Sequence, residues 1–477
     1  MNTVKIQEPQ KRDHWGSKIG FIMAAAGSAV GLGNIWKFPY TAGENGGGAF
    51  VFIYLIFIVL IGFSVMLTEF ALGRRRQLAA VGAFKSEDRR WTFVGIIGVL
   101  SGFLIMGFYP VVGGWALAYI FKVTGGLLNT PELIGSTFEG FITNPVIPLV
   151  WMVAYLVMNI AIVSKGISSG IEKAGKVLMP LLFVILIIIA LKGLTLPNSF
   201  EGVKFLFKPD FSKMTGKVVL AALGQAFFSL SLGMGCMITY GSYLEKKENL
   251  VSTTGVITAM DTGVALLAGL AMFPAMFAFG IAPTEGPGLV FVVVPALFAE
   301  MGGLGTIFAT LFFVALTVAA LTSSVSLLEV VTSYLIDEKK FTRMRAVVSA
   351  SSVMVVLCIL SSLSLGGLGP QLFGKGAFDV FDLLTDKIFL ALGGMLICIF
   401  AGWRIKKEDL FNEITNGGTL KYGFLNFWYL LVKYVIPVTI LVVAVNGILE
   451  GFQTGAGPVM LIGIGLMAFL ASVSKKL

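Results

Sequence analysis

The sequence predicts an all-α integral membrane protein of about twelve transmembrane helices, and three observations carry that prediction. Of its 477 residues, 56% are hydrophobic and only 13% charged, whereas a soluble domain carries roughly 25% charge. Mean hydropathy is +0.90. Apolar runs of about 20 residues, enough to cross a roughly 30 Å hydrocarbon layer as a helix, recur along the whole chain.

In chain order the runs fall at 17–41, 47–72, 91–126, 146–163, 168–191, 218–243, 251–280, 302–335, 345–363, 379–402, 427–449 and 456–473. The last is short and glycine-rich, so eleven spans is the alternative count. The loops leave no room for a separate soluble domain, so residues 1–477 read as one transmembrane unit. The polar start MNTVKIQEPQKRDHWGSK runs straight into a full-length span, which is not the pattern of a cleavable signal peptide. Positive charge alternates between loops. Arg12 and Lys18 precede the first span, and Arg74-Arg75-Arg76, Arg89-Arg90, Lys173, Lys176, Lys246-Lys247, Lys339-Lys340, Arg343 and Lys406-Lys407 follow in alternate connections. Lys475-Lys476 closes the chain. Both termini are therefore expected in the cytoplasm. The connection 192–217 also holds lysines and departs mildly from the pattern, as long loops do.

The net charge of +9 thus reflects topology. A nucleic-acid surface needs a clustered basic face, which this pattern lacks. Cys236, Cys358 and Cys398 all lie in apolar runs, too scattered for a disulfide framework or a metal cluster. His14 is the sole histidine, which excludes histidine-based metal or triad chemistry.

Two spans carry matching interruptions. The first contains AAAGSAVGLGN, with Gly27, Gly31 and Gly33 ahead of Asn34, and the sixth contains FFSLSLGMGCM, with Gly233 and Gly235 flanking Met234. Glycine weakens a helix by roughly 1 kcal/mol relative to alanine. Small residues also serve close helix packing, but two such breaks in register, each beside polar groups, point to a transporter site between inverted repeats. Five spans separate the copies, so the second enters the membrane from the opposite side. Unwound backbone frees carbonyls for a cation and N–H groups for an anion, which suits an ion-coupled carrier of a small carboxylated solute. Hard oxygen ligands are available in Asn34, Ser229, Ser231, Asp261, Thr322, Ser323 and Ser324. Intramembrane aspartate is functional by default, and Asp261 is the sharpest single residue. The LTSS at 321–324 is a weaker signal, because intramembrane Ser and Thr often bond the preceding helical turn.

The stretch GSAVGLGNIWKFPYTAGENGGGAF closely resembles the signature of the neurotransmitter:sodium symporter family in its prokaryotic LeuT-like branch. The resemblance continues through GQAFFSLSLGMG and ALTSS and covers nearly the whole chain. It implies a LeuT-type 5+5 inverted repeat with helices 1 and 6 unwound. The repeats would occupy 17–192 and 218–403, with the last two helices in 404–477. It further implies a multi-pass protein of the prokaryotic inner membrane, monomeric or weakly dimeric, with the bilayer and an amino acid as partners. The substrate carboxylate would meet the N–H groups of Leu32 and Gly33, the Tyr109 hydroxyl and the first of two sodium ions. That ion would rest on Ala29, Asn34, Ser229 and Asp261. The substrate amine would meet carbonyls of Ala29, Phe228, Ser229 and Ser231. The second sodium would sit on Gly27, Val30, Ala319, Thr322 and Ser323.

Side-chain selectivity would come from Ser28, Ile105, Ser231, Met234 and Leu327, with Ser323 beside them. An apolar pocket of this kind favours a hydrophobic or aromatic L-amino acid, and Met234 adapts to bulky rings. Phe228 and Tyr109 would cover the substrate, with Lys37 and Asp382 paired above. Lysine stands where the family often has arginine, so the pair lacks bidentate geometry. On the cytoplasmic side Arg12 and Asp337 would form a latch beside Trp15 and Tyr243. Asp261 departs from chloride-dependent relatives, which are neutral around this point. A fixed carboxylate does chloride's work, so transport is expected to need no chloride, with proton return as a corollary. A non-transporting amino-acid receptor on the same fold is the alternative. An enzyme lacks a nucleophile–base pair, and a channel needs no paired gates.

Overall fold

The computed structural model describes residues 13–280 and 288–476. Among the described residues, eight helical runs are long and apolar enough to cross a membrane. They are Gly48–Arg76, Arg89–Thr124, Ile167–Leu194, Leu250–Phe279, Gly302–Lys339, Arg343–Leu365, Ala377–Arg404 and Leu425–Gln453. The first span is bent by 52° between Lys18–Ala29 and Gly33–Glu44. The fourth, Ile147–Val163, follows a loop helix at Pro131–Ile142 through a 76° bend. The sixth is divided into Gly216–Ser229 and Cys236–Gly241. The twelfth run is helical too, over the 17 residues Gly457–Val473. Each expected span therefore has a helix, and the interruptions fall in the first and sixth.

The chain turns apolar side chains both to lipid outside and to a core inside. Val150, Val153 and Val157 on the fourth span are exposed, as are Val438, Leu441, Val442 and Val445 on the eleventh. The first span from residue 24 to 35 and the sixth from 229 to 244 are buried throughout. Non-helical backbone at membrane depth is tolerated only when protein covers it, and here the bundle supplies that cover on both breaks.

The third span is kinked between Thr92–Ile105 and Tyr109–Thr124. Pro110 has no N–H, so the Met106 carbonyl loses its helical donor. The Cys358 thiol donates to that carbonyl at 3.1 Å, and the Ser361 hydroxyl donates to the Gly107 carbonyl at 2.8 Å. Two residues of the ninth span thus stabilise the kink from which Tyr109 projects. Cys358 is more than a packing residue. Cys236 and Cys398 are buried and form no disulfide, and the Cys236 sulfur accepts from the Ser326 hydroxyl at 3.6 Å.

The arginine-rich connections gather at one end of the bundle, hereafter the basic end. Arg74 pairs there with Glu413, Lys246 with Glu413 and Arg404 with Asp88.

Candidate functional site

The two broken spans meet at the centre of the bundle, and their ends supply the polar groups. In the sixth span the backbone turns left-handed at Ser231 (φ 53°), Gly233 (φ 79°) and Gly235 (φ 76°). Such angles are readily adopted by glycine and strained for most other residues, so GMG is a sequence requirement of this break. In the first span no glycine turns left-handed. Their missing Cβ atoms make room instead: a Cβ on Gly31 would stand 2.9 Å from the Tyr109 hydroxyl and 3.0 Å from Ser323 Oγ.

Asn34, Ser229 and Asp261 converge from the first, sixth and seventh spans. Asn34 Nδ2 donates to Asp261 Oδ1 at 2.8 Å and to Ser229 Oγ at 3.0 Å. Ser229 donates to Asp261 Oδ2 at 2.8 Å. All three are essentially inaccessible to solvent. The carboxylate's hydrogen-bonding partners are neutral, and a buried charge without a counter-ion is costly by several kcal/mol. A cluster of carboxylate, amide and hydroxyl oxygens in this setting suits a hard cation. Among the described residues no group of His, Cys, Asp and Glu could hold a transition metal.

Of the second predicted cation cluster, Gly27, Ala319 and Thr322 are in contact. Gly27 faces Thr322, with an added Cβ only 3.0 Å from the threonine Cβ. Ser323 donates to the Ser28 carbonyl at 3.1 Å, and Ser231 donates to the same oxygen at 2.8 Å. One carbonyl thereby ties the first, sixth and eighth spans. Thr322 donates within its own helix, to the carbonyls of Val318 and Ala319, as expected for an intramembrane threonine. Val30 and Ala319 are fully buried.

Beside these clusters lies a cavity of about 380 Å³. Ala29, Leu32, Gly33, Ile105, Tyr109, Phe228, Ser231, Met234, Ser323 and Leu327 line it, joined by Val112 and Leu390. Of the predicted substrate residues only Ser28 and Ser229 stand behind its wall, Ser28 bonded to Ser326 at 2.7 Å. The Leu32 N–H donates to the Tyr109 hydroxyl at 3.2 Å, so a backbone donor and a phenol stand together at one edge of the cavity. The remaining wall is largely apolar.

Away from the basic end the cavity reaches Lys37, Asp382, Asp386 and Lys387. The ion pair expected between Lys37 and Asp382 is formed with Asp386 instead, at 3.1 Å. Asp382 closes the helix Ala377–Asp382, and Asp386, four residues on, lies in the wide-turned stretch Leu383–Phe389 that follows, so both share the face presented to Lys37. Lys37 Nζ also lies 3.9 Å from the centre of the Phe228 ring. At the basic end, Trp15 is buried with its indole N–H donating to the Tyr240 carbonyl at 3.1 Å. Its ring meets Tyr240 and Tyr243 edge-on at 5.1 and 6.3 Å. Asp337 accepts from the Ala79 N–H at 3.0 Å. Arg12, its predicted partner, lies outside the described residues.

Sequence reasoning missed several residues of this centre. Tyr54 donates to Ser229 at 3.3 Å, and Gln225 donates to the Gly33 carbonyl at 2.9 Å. Glu69 accepts from the Gly233 N–H at 2.8 Å and so holds the left-handed loop. The rule that flagged Asp261 covers Glu69 too, but the arginines at 74–76 make it look like the membrane edge. At the basic end Glu329 pairs with Arg343 at 2.8 Å and accepts from Tyr243 at 2.8 Å.

Comparison with known proteins agrees with this architecture. A model of the sodium:neurotransmitter symporter family matches residues 12–129 and 139–458. The chain is 42% identical over 444 residues to the uncharacterised sodium-dependent transporter YhdH of Bacillus subtilis, covering 92% of this chain and 98% of that one. It is 36% identical over 456 residues to an uncharacterised sodium-dependent transporter of Haemophilus influenzae, covering 92% and 99%. The crystal structure of MhsT in complex with L-phenylalanine superposes with a TM-score of 0.83 at 45% identity, covering 91% of this chain and all of that one. The chain is a multi-pass membrane protein with a LeuT-like fold, and it belongs to the sodium:neurotransmitter symporter family, a family of sodium-dependent transporters and not of enzymes.

Proposed function

We propose that the protein is a sodium-coupled, chloride-independent symporter that imports hydrophobic or aromatic L-amino acids by alternating access. The observation that carries this reading is the buried Asp261–Asn34–Ser229 cluster, whose charge calls for a cation, beside a cavity with largely apolar walls. The N–H groups of Leu32 and Gly33 and the Tyr109 hydroxyl would receive the substrate carboxylate. Carbonyls of Ala29, Phe228, Ser229 and Ser231 would receive its amine. Ile105, Val112, Met234 and Leu327 would surround its side chain. Ala29, Asn34, Ser229 and Asp261 suit one co-transported sodium, and Gly27, Val30, Ala319, Thr322 and Ser323 suit a second. The phenylalanine bound by MhsT fits the same chemistry.

Alternating access would rock spans 1, 2, 6 and 7 against spans 3, 4, 8 and 9. The basic end would face the cytoplasm, with Trp15, Tyr243 and Asp337 closing it. Lys37, Asp386 and Phe228 would close the outer side. Asp261 supplies a fixed negative charge, so no chloride is required to balance sodium.

Proteoliposomes with an inward sodium gradient should accumulate labelled phenylalanine, equally in chloride and gluconate, and should exclude lysine and glutamate. Binding without accumulation would establish the receptor alternative.

A further inference from the structure

At the basic end, one buried carboxylate holds the start of the first span and takes no part in the substrate or cation clusters. Glu172 ends the wide first turn of the fifth span, Ile167–Glu172, and is only 3% exposed. Its Oε2 accepts from the Gly16 N–H at 2.6 Å, and its Oε1 accepts from the Ser17 hydroxyl at 2.8 Å. Ser17 in turn caps the first helix, its side chain accepting from the Gly20 N–H at 3.1 Å. Lys176, one turn along the fifth span, reaches Oε1 at 2.6 Å. The fit is close enough that a Cβ on Gly20 would stand 2.1 Å from Oε1. First-span residues 16, 17 and 20 are thus shaped around a single side chain of another span.

We propose that Glu172 is a positioning residue for alternating access, a second inner latch that holds the N-terminal half of the first span against the fifth and must release it before the basic end opens. The proposal rests on the transport reading above. A carboxylate is the right group for the task. It accepts from a backbone N–H and a hydroxyl at once, and it lies at the positive end of the first helix. Hydrogen bonds to a charged acceptor are roughly twice as strong as neutral ones, yet both are broken by a shift of about an ångström or two. The contact is therefore firm when closed and short in range. Lys176 belongs to the fifth span, so it stays with Glu172 when the first span departs and leaves the carboxylate paired in both states.

The test uses full-length protein in lipid nanodiscs, with spin labels at the exposed positions Lys18→Cys and Lys173→Cys. Electron–electron distance measurements with and without sodium report the separation of the two helix starts. Without sodium, wild type should populate a longer distance that sodium suppresses. Glu172→Gln should raise the ratio of long to short distances in sodium by roughly tenfold, the worth of one charged hydrogen bond. Ser17→Ala, which leaves Glu172 in place, should shift it less in the same direction. Lys176→Ala keeps both bonds to the first span and should not lengthen the distance. Equal distributions in wild type and Glu172→Gln, or an equal lengthening in Lys176→Ala, would overturn the latch. A wild-type distance indifferent to sodium would overturn the transport reading and the latch with it. Should Glu172→Gln fail to fold, the contrast between Ser17→Ala and Lys176→Ala decides.

Discussion

At the scale of single residues, Asp261 carries the most consequence. Both of its carboxylate oxygens are engaged by neutral donors from the first and sixth spans, so the first break, the second break and a negative charge form one unit. Replacing it removes charge as well as geometry. Asp261→Ser should lower sodium-driven uptake by roughly tenfold or more, the loss of at least one charge-assisted bond. It should also make the residual uptake respond to chloride, because a mobile anion can then fill the vacated role. Uptake in chloride against gluconate measures both effects. Wild-type rates that stay indifferent to chloride in the variant would show that Asp261 is not the balancing charge. Asp261 was legible in the sequence because an acid inside an apolar run has no other reason to be there. Tyr54 and Gln225 were not legible: a tyrosine and a glutamine fit many membrane environments, and only the packing of the second and sixth spans brings them to Ser229 and Gly33.

At the scale of elements, the two breaks share a purpose and differ in construction. The sequence reading credits glycines with freeing the backbone in both. That holds in the sixth span, where Ser231, Gly233 and Gly235 are left-handed. In the first span the glycines leave volume for Thr322, Tyr109, Ser323 and Phe228. A sequence pattern marks glycine positions but does not say whether φ or space is being requested, so this distinction needs the neighbouring spans. It also has a measurable consequence. At Gly233 both requirements coincide, since φ is 79° and a Cβ would lie 2.3 Å from the Leu390 carbonyl. Gly233→Ala should cost about 1–3 kcal/mol in backbone strain alone and abolish uptake by displacing the loop that Glu69 holds. Gly465→Ala, inside the last helix with open space around it, should be neutral or stabilising by about 0.5–1 kcal/mol. Thermal unfolding in detergent separates them. Similar melting temperatures for both variants would count against a strained, tightly packed sixth-span loop.

At the scale of the whole molecule, the order of the helices was legible because hydrocarbon thickness imposes a length on every helix. The partner of Lys37 was not, since Asp382 and Asp386 occupy the same helical face and the choice depends on how the tenth span turns. Equally hidden was the way the basic end is held together. Arg74 closes the second span and is 1% exposed, with its Nε 2.6 Å from Glu413 and its Nη1 donating to the Glu248 carbonyl at 2.5 Å. Lys246 approaches the other oxygen of Glu413 at 2.8 Å. The second span, the connection between spans six and seven, and the short helix Lys407–Ile414 thus converge on one guanidinium. Arg75 and Arg76 both bond Glu87 at 2.7 Å. Partial burial pushes the Glu87 carboxyl up, but the two arginines outweigh it and leave it below the ordinary carboxylate range. Its contribution is therefore fully present above that range and is lost only as pH falls through the lowered value, so the contact of Glu87 with Arg75 and Arg76 should be insensitive to pH near neutrality. Removing Arg74 takes the buried partner from Glu413, which keeps Lys246, and the donor from the Glu248 and Glu413 carbonyls, and breaking a buried pair costs about 3–5 kcal/mol. Arg74→Met should show a loss of that size in thermal or denaturant unfolding. Lys204→Met, which breaks the exposed Lys204–Glu201 pair, should change stability by less than about 1 kcal/mol. Equal losses in the two variants would mean that the basic end is held by helix packing, with the arginine run serving topology alone.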